Sequence, residues 1–119
     1  MLNNATCFKN VFIVCGRTDL RSGIDKLVSI LIANGINEPM TEDTLYLFCG
    51  RRSDRIKGLV WEGDGYLLLY KRLEAGNFQW PRNISEVQHL SGQQFRWLME
   101  GLTIEPKKKV HHVKPEYVA

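Results

Sequence analysis

The sequence predicts an α+β domain: a small antiparallel sheet built around a three-stranded meander, with one main amphipathic helix and a short C-terminal helix. Three observations carry this expectation. Short β-branched or aromatic apolar runs are separated by turn residues, as in strands. A single segment, residues 18–35, switches to a three- and four-residue apolar period, as in a helix. Asp64-Gly65 lies between two strand-like runs, where a tight hairpin turn is favoured. With 119 residues, 44% of them hydrophobic and 24% charged, the chain has the size and composition of one compact domain. Residues 1–105 are expected to form that domain, and residues 106–119 a basic, flexible tail.

Taken in order, the run Asn10 to Gly16 (NVFIVCG) is apolar, β-branched and ended by glycine, which favours a buried strand. In TDLRSGIDKLVSILIANG, Leu20, Ile24, Leu27, Val28, Leu31 and Ile32 share one helical face. Thr18 or Asp19 is placed to cap its start, and Asn34-Gly35 to close its end. INEPMTEDT has a proline, several acids and no period, so it reads as a connection. LYLFC, RIKGLVWE and YLLLYKRL follow as three strands, joined by GRRSD and by the Gly63-Asp64-Gly65 turn. EAGNFQWPRN is a loop anchored by Phe78 and Trp80, and SEVQHL a short strand or extended lead-in. In SGQQFRWLMEGL, Ser91 and Gln94 have capping-box spacing. Phe95, Leu98, Met99 and Leu102 fall on one face, and Gly101 sits where a helix stops.

Composition removes several function classes. Three cysteines, Cys7, Cys15 and Cys49, are an odd number with none of the close pairs used by zinc or redox motifs. A reduced, cytoplasmic setting is expected, with Cys15 and Cys49 packing as small hydrophobes. No apolar run approaches the roughly 20 residues of a membrane span, and the first residues lack the order of a signal peptide. The net charge is only +3, but residues 18–48 are acidic on balance while cations gather after Gly50 and in the tail. That distribution suits a polyanionic partner.

Cys49 to Arg82 holds seven Lys or Arg residues among aromatics. With Asp64 and Gly65 as the two loop residues, Val60 falls opposite Leu69, and alternation divides the hairpin into two faces. Ile56, Val60, Leu67, Leu69 and Leu73 form a core face. Arg55, Lys57, Leu59, Trp61, Tyr66, Leu68, Tyr70 and Arg72 form the other. Lys and Arg neutralise phosphates and flat rings stack on exposed bases, so the second face fits nucleic acid. Leu59 and Leu68 on that face indicate partial cover by a helix or a partner, which leaves the hairpin base and the Arg51-Arg52 turn exposed. A packing reading stays open beside this one, in which Trp61, Tyr66 and Tyr70 are core aromatics and the cations a solvated rim. The candidate nucleic-acid contacts are Arg51, Arg52, Arg55, Lys57, Lys71, Arg72 and Arg82, with Trp61 or Tyr70 as stacking groups. The tail lysines 107, 108, 109 and 114 can grip phosphates or simply keep a terminus soluble.

Catalytic chemistry finds little support. A metal-dependent nuclease needs converging carboxylates, and Asp19, Asp25, Asp54, Glu62 and Asp64 each have a simpler role. Asp19 sits at the expected helix start, Asp64 in a turn, and Asp54 beside Arg51 and Arg52. His89, His111 and His112 lack partners at ligand spacing. CGRTDLRSG lacks the order of a phosphate-binding glycine loop, although Arg17 and the following helix start can hold a single phosphate group. No metal and no cofactor are expected.

In combination, CGRTDLRSGIDKL, LYLFCGRRSDRIKGLVWEGDGYLLLYKRLEAGNFQWPR and LSGQQFRWLMEGL, in that order, resemble the TnpB-type accessory proteins of the sixty-six family of bacterial insertion sequences. These are encoded by the second reading frame of the element. The resemblance covers most of Val11 to Leu102. It implies a role in DNA transposition beside a separate, larger transposase that is expected to carry the strand-transfer carboxylates. The expected function is therefore a non-catalytic accessory protein contacting DNA or the transposase–DNA complex. The alternative is a protein-interaction module that assembles the transposase without touching nucleic acid.

Overall fold

The computed structural model describes residue 2, residues 7–82 and residues 86–105. The basic tail expected over residues 106–119 lies outside the described residues. The elements follow the order β1 (Asn10–Val14), α1 (Ile24–Ala33), β2 (Thr44–Cys49), β3 (Arg55–Trp61), β4 (Tyr66–Arg72), β5 (Val87–Leu90) and α2 (Gly92–Met99). One five-stranded sheet runs β4-β3-β2-β1-β5. The meander β2-β3-β4 is antiparallel as expected, but β1 pairs with β2 in parallel, through α1 as the crossover. β5 closes the far edge antiparallel to β1. The α+β class stands, with a mixed sheet.

Both faces of the sheet are covered. On one face α1 lays Leu27 and Leu31 against Val14, Tyr46, Phe48 and Leu59, with Leu68 and Tyr66 at the margin. On the other, α2 and the loop residues Phe78 and Trp80 pack on Val11, Ile13, Leu45, Leu47 and Ile56. The central strand β2 is consequently buried at all six positions, which explains why its sequence is apolar without alternation. Fully buried Leu27 is a keystone of the α1 layer, and Leu27→Ala would cost about 2–5 kcal/mol. The Trp80 indole keeps its polar handle satisfied by donating to the Val14 carbonyl at 3.0 Å.

Three local expectations change. First, α1 begins at Ile24 with Gly23 as its N-cap, five residues beyond Thr18. Both residues expected to cap it are engaged in a preceding turn. The Thr18 amide donates to the Cys49 carbonyl at 2.9 Å, and the Asp19 carboxylate accepts from Arg21. Second, the hairpin register is Val60 opposite Leu67, two residues away from the expected pairing with Leu69. The connection spans residues 62–65, closed by a bond from the Glu62 amide to the Gly65 carbonyl at 2.9 Å. Gly63, at φ 91°, supplies the left-handed backbone. A shift of two preserves side-chain parity, so both predicted faces survive. Third, Leu102 is exposed at 50%, and Ile104 takes the buried place beside Phe95 and Leu98. The chain reverses beyond Gly101, where the Leu102 amide turns back to the Trp97 carbonyl. The capping box at Ser91 and Gln94 is present in both directions.

Candidate functional site

Because β1 and β2 are parallel neighbours, both leave the sheet at the same end, and a crevice forms outside their carboxyl ends. Val14 lies opposite Phe48. Cys15-Gly16-Arg17 and Cys49-Gly50-Arg51, a triplet that occurs twice in the sequence, each follow directly on this last pair, so both leave the sheet at the same end. The two loops are tied by the Thr18–Cys49 backbone bond and by Arg82. The Arg82 Nη1 donates to the Gly16 carbonyl at 2.8 Å and Nη2 to the Gly50 carbonyl at 2.7 Å, with weaker contacts to Ser53 Oγ and Cys49 Sγ. Gly50 has little room for a side chain, since a Cβ there would lie 2.9 Å from Leu20 Cγ.

Above these loops lies an open groove of about 640 Å³, lined by Arg17, Arg21, Arg51, Arg52, Arg55 and Lys57, with Asp19 as the one lining carboxylate among the described residues. Leu20 and Tyr70 supply its apolar surface. The cations differ in commitment. Arg21 chelates Asp19 through Nε and Nη2 at 3.1 and 2.9 Å, and this holds the Asp19 carboxyl down at about 2. Arg55 pairs with Asp54 at 3.0 Å while Arg52 reaches the same carboxylate at 3.6 Å. The Arg55 hydrogen bond is the main reason that Asp54 stays ionised below the usual carboxylate range. The Lys57 ammonium donates to the Ser22 carbonyl at 3.1 Å. Arg17 and Arg51 are exposed, and no hydrogen bond or ion pair to a described residue engages either. Tyr70 is 57% exposed and stands directly opposite Lys57 in the β3–β4 ladder.

The structure thus brings together five of the candidate residues, Arg51, Arg52, Arg55, Lys57 and Tyr70, and separates four. Trp61 lies six residues along β3 from Arg55, about 20 Å away at strand rise. There it meets Tyr66 edge-on at 5.0 Å and lines a shallow depression with Glu42, Asp43 and Glu62. Lys71 pairs across from Ile56, on the opposite face of the sheet from the groove. Arg72 is at the end of β4, bound to Glu74 at 2.9 Å. Arg82, expected as a phosphate contact, braces the two loops. Conversely, Arg17 moves from a lone phosphate contact to a full member of the cluster, and Arg21 joins it. The repeated Cys-Gly-Arg triplet was the available signal, but it acquires meaning only once β1 and β2 are known to be parallel.

The aspartates weighed for metal chemistry fall apart in the same way. Asp19 and Asp54 are bound to arginines at the basic end, whereas Glu62 and Asp64 lie at the far end of the hairpin. Cys15 and Cys49 are buried in the core on the α2 side of the sheet, and burial pushes both thiols up, away from nucleophilic reactivity. Among the described residues no helix is long and apolar enough to cross a membrane.

Comparison with known proteins gives a consistent result. The family model described as "IS66 Orf2 like protein" matches residues 9–109. The uncharacterized protein y4jC of Sinorhizobium fredii is 31% identical over 101 residues, covering 85% of this chain and 86% of that protein. The uncharacterized protein y4hO of the same organism is 29% identical over 92 residues, covering 77% and 79%. No solved structure matches.

Proposed function

The chain belongs to the IS66 Orf2-like family, accessory proteins associated with insertion-sequence transposition, and from that premise we propose that it acts by contacting DNA through the arginine groove. The observation that carries this reading is the convergence of six cationic side chains on one crevice, two of them, Arg17 and Arg51, uncommitted to any described residue. Pre-placed guanidiniums are suited to phosphate oxygens, because their planar forks bond two acceptors at once. Arg21 and Arg55 are held by carboxylates and Lys57 by a carbonyl, so part of the basic surface is fixed in place before a ligand arrives. That lowers the ordering cost of binding. In this reading the protein performs no bond chemistry of its own; it holds or orders DNA beside the larger transposase of the element.

The test is binding to terminal-repeat DNA followed across salt concentration. Replacing Arg51 and Arg52 by Ala should lower the slope of log affinity against log salt by about 1 to 2 units, since each lost phosphate contact removes about 0.9. An unchanged slope would sink the assignment.

A second reading is favoured by a different observation. β4 is an edge strand, and Tyr66, Leu67, Leu68 and Leu69 all stay partly exposed along it, unlike the fully buried β2. An edge with half-covered apolar side chains suits strand addition by another protein. Capture of the transposase from nuclease-treated extract, lost when Leu67 and Leu69 are replaced by Lys, would support it; capture only when DNA is present would count against it.

A further inference from the structure

The groove contains one group that duplex binding does not need. Tyr70 is one of only four large hydrophobic side chains exposed by half or more among the described residues, and the other three, Ile32, Met40 and Leu102, lie outside the groove. Its ring projects from β4 between cations on β3: Lys57 lies directly across, and Arg55 two residues along on the same face. Arg55 is held by Asp54 and Lys57 by the Ser22 carbonyl, so the ring sits in a fixed charged frame. Arg51 and Arg17, at the loop side, have no hydrogen bond or ion pair to a described residue. The bases of a duplex are stacked on one another and offer no face to such a ring. An unpaired nucleotide can lay its base on Tyr70 while its flanking phosphates meet the cations, and sheet-face aromatics within a basic groove recognise single strands in this way. The volume, about 640 Å³, lies within the range that accommodates a group the size of a small molecule, such as one unpaired base.

We infer that the groove takes single-stranded DNA in preference to duplex, with one base stacked on Tyr70 and phosphates on Arg51 and Arg17. This rests on the reading that the groove contacts DNA and narrows it to unpaired segments. In a transposition complex such segments arise where strands are opened or cut, so the protein would act at exposed ends and not along intact duplex.

The experiment compares wild type, Tyr70→Ala and Tyr70→Phe in binding a fluorescein-labelled single-stranded oligodeoxynucleotide and a duplex containing the same sequence, at several salt concentrations. Wild type should bind the single strand more tightly than the duplex. Tyr70→Ala should weaken single-strand binding by about fivefold to a hundredfold, the usual loss of one stacked base, and leave duplex binding nearly unchanged. Tyr70→Phe keeps the ring and should retain the preference. Equal binding of both DNAs by wild type, or a Tyr70→Ala variant that behaves as wild type, overturns the inference while leaving DNA contact intact. Loss in Tyr70→Phe equal to that in Tyr70→Ala overturns the stacking role. Absence of salt-dependent binding to either DNA overturns the underlying reading itself.

Discussion

Arg82→Ala is predicted to destabilise the fold, not to remove a phosphate contact. The guanidinium donates to two carbonyls on separate loops, Gly16 at 2.8 Å and Gly50 at 2.7 Å, and touches Ser53 and Cys49 as well. Hydrogen bonds from a charged donor contribute about 1.5–3 kcal/mol each, and an unsatisfied buried acceptor costs about 1–3 kcal/mol. Gly50 is buried, but the Arg82 side chain borders solvent, so water replaces part of what is lost. The expected net cost is therefore about 2–4 kcal/mol, a large share of the roughly 5–15 kcal/mol that holds a domain of this size. In urea unfolding, with a slope of about 2 kcal/mol per molar, the midpoint should fall by about 1–2 M. Arg82→Lys keeps the charge but not the fork, and an ammonium on a shorter reach cannot span both carbonyls; it should recover less than half of the loss. A variant within about 0.5 kcal/mol of wild type, combined with a DNA salt slope reduced by about one unit, would refute the bracing role and return Arg82 to the list of phosphate contacts.

Two further outcomes follow from the same geometry. The Asp19 carboxyl should titrate at about 2, and Arg21→Ala should return it toward 3.8. The folded-state value is depressed, so the interaction is fully present above the ordinary carboxylate range and is lost only as pH falls through about 2. Carboxyl-carbon NMR reads this directly, and a wild-type midpoint near 3.8 would show that the Asp19–Arg21 pair does not persist in solution. Of the three cysteines, exposed Cys7 should react at once with a thiol reagent, while Cys15 and Cys49 should react only on unfolding. Rapid modification of Cys49 in the native protein would contradict the closed packing of the loops beneath the groove.

Period and parity made much of the fold legible. The meander, the main helix, the capping box at Ser91 and the two faces of the hairpin all follow from local pattern, and parity survived even a two-residue error in register, because only odd shifts exchange faces. What stayed hidden was non-local or competitive. The parallel pairing of β1 with β2 has no local signature, and without it Gly16-Arg17 and Gly50-Arg51 look unrelated. Thr18 and Asp19 have capping chemistry, yet the Thr18 backbone is tied to Cys49 and the Asp19 carboxylate to Arg21 in a turn ahead of the helix, which starts at Ile24 with Gly23 as its cap. Arg82 illustrates a different limit. Its charge is visible in sequence, but charge alone does not tell a phosphate ligand from a guanidinium spent on carbonyls. Trp61 shows the same for aromatics: alternation puts it on the face of Tyr70, and distance along the strand puts it among Glu42, Asp43 and Glu62. Leu59 and Leu68, by contrast, correctly announced that a helix or a partner covers the middle of that face, and α1 is what covers it.

The central claim, that the crevice at the carboxyl ends of β1 and β2 is where DNA is held, is tested most directly by mapping backbone amide shifts of the full chain during titration with a single-stranded oligodeoxynucleotide. Perturbations should concentrate at Arg17 to Ser22, Gly50 to Lys57 and Tyr70, and leave Glu42, Asp43 and Glu62 at the opposite end of the sheet undisturbed. Shifts centred on that acidic end or on β5, with the arginine loops silent, would contradict it.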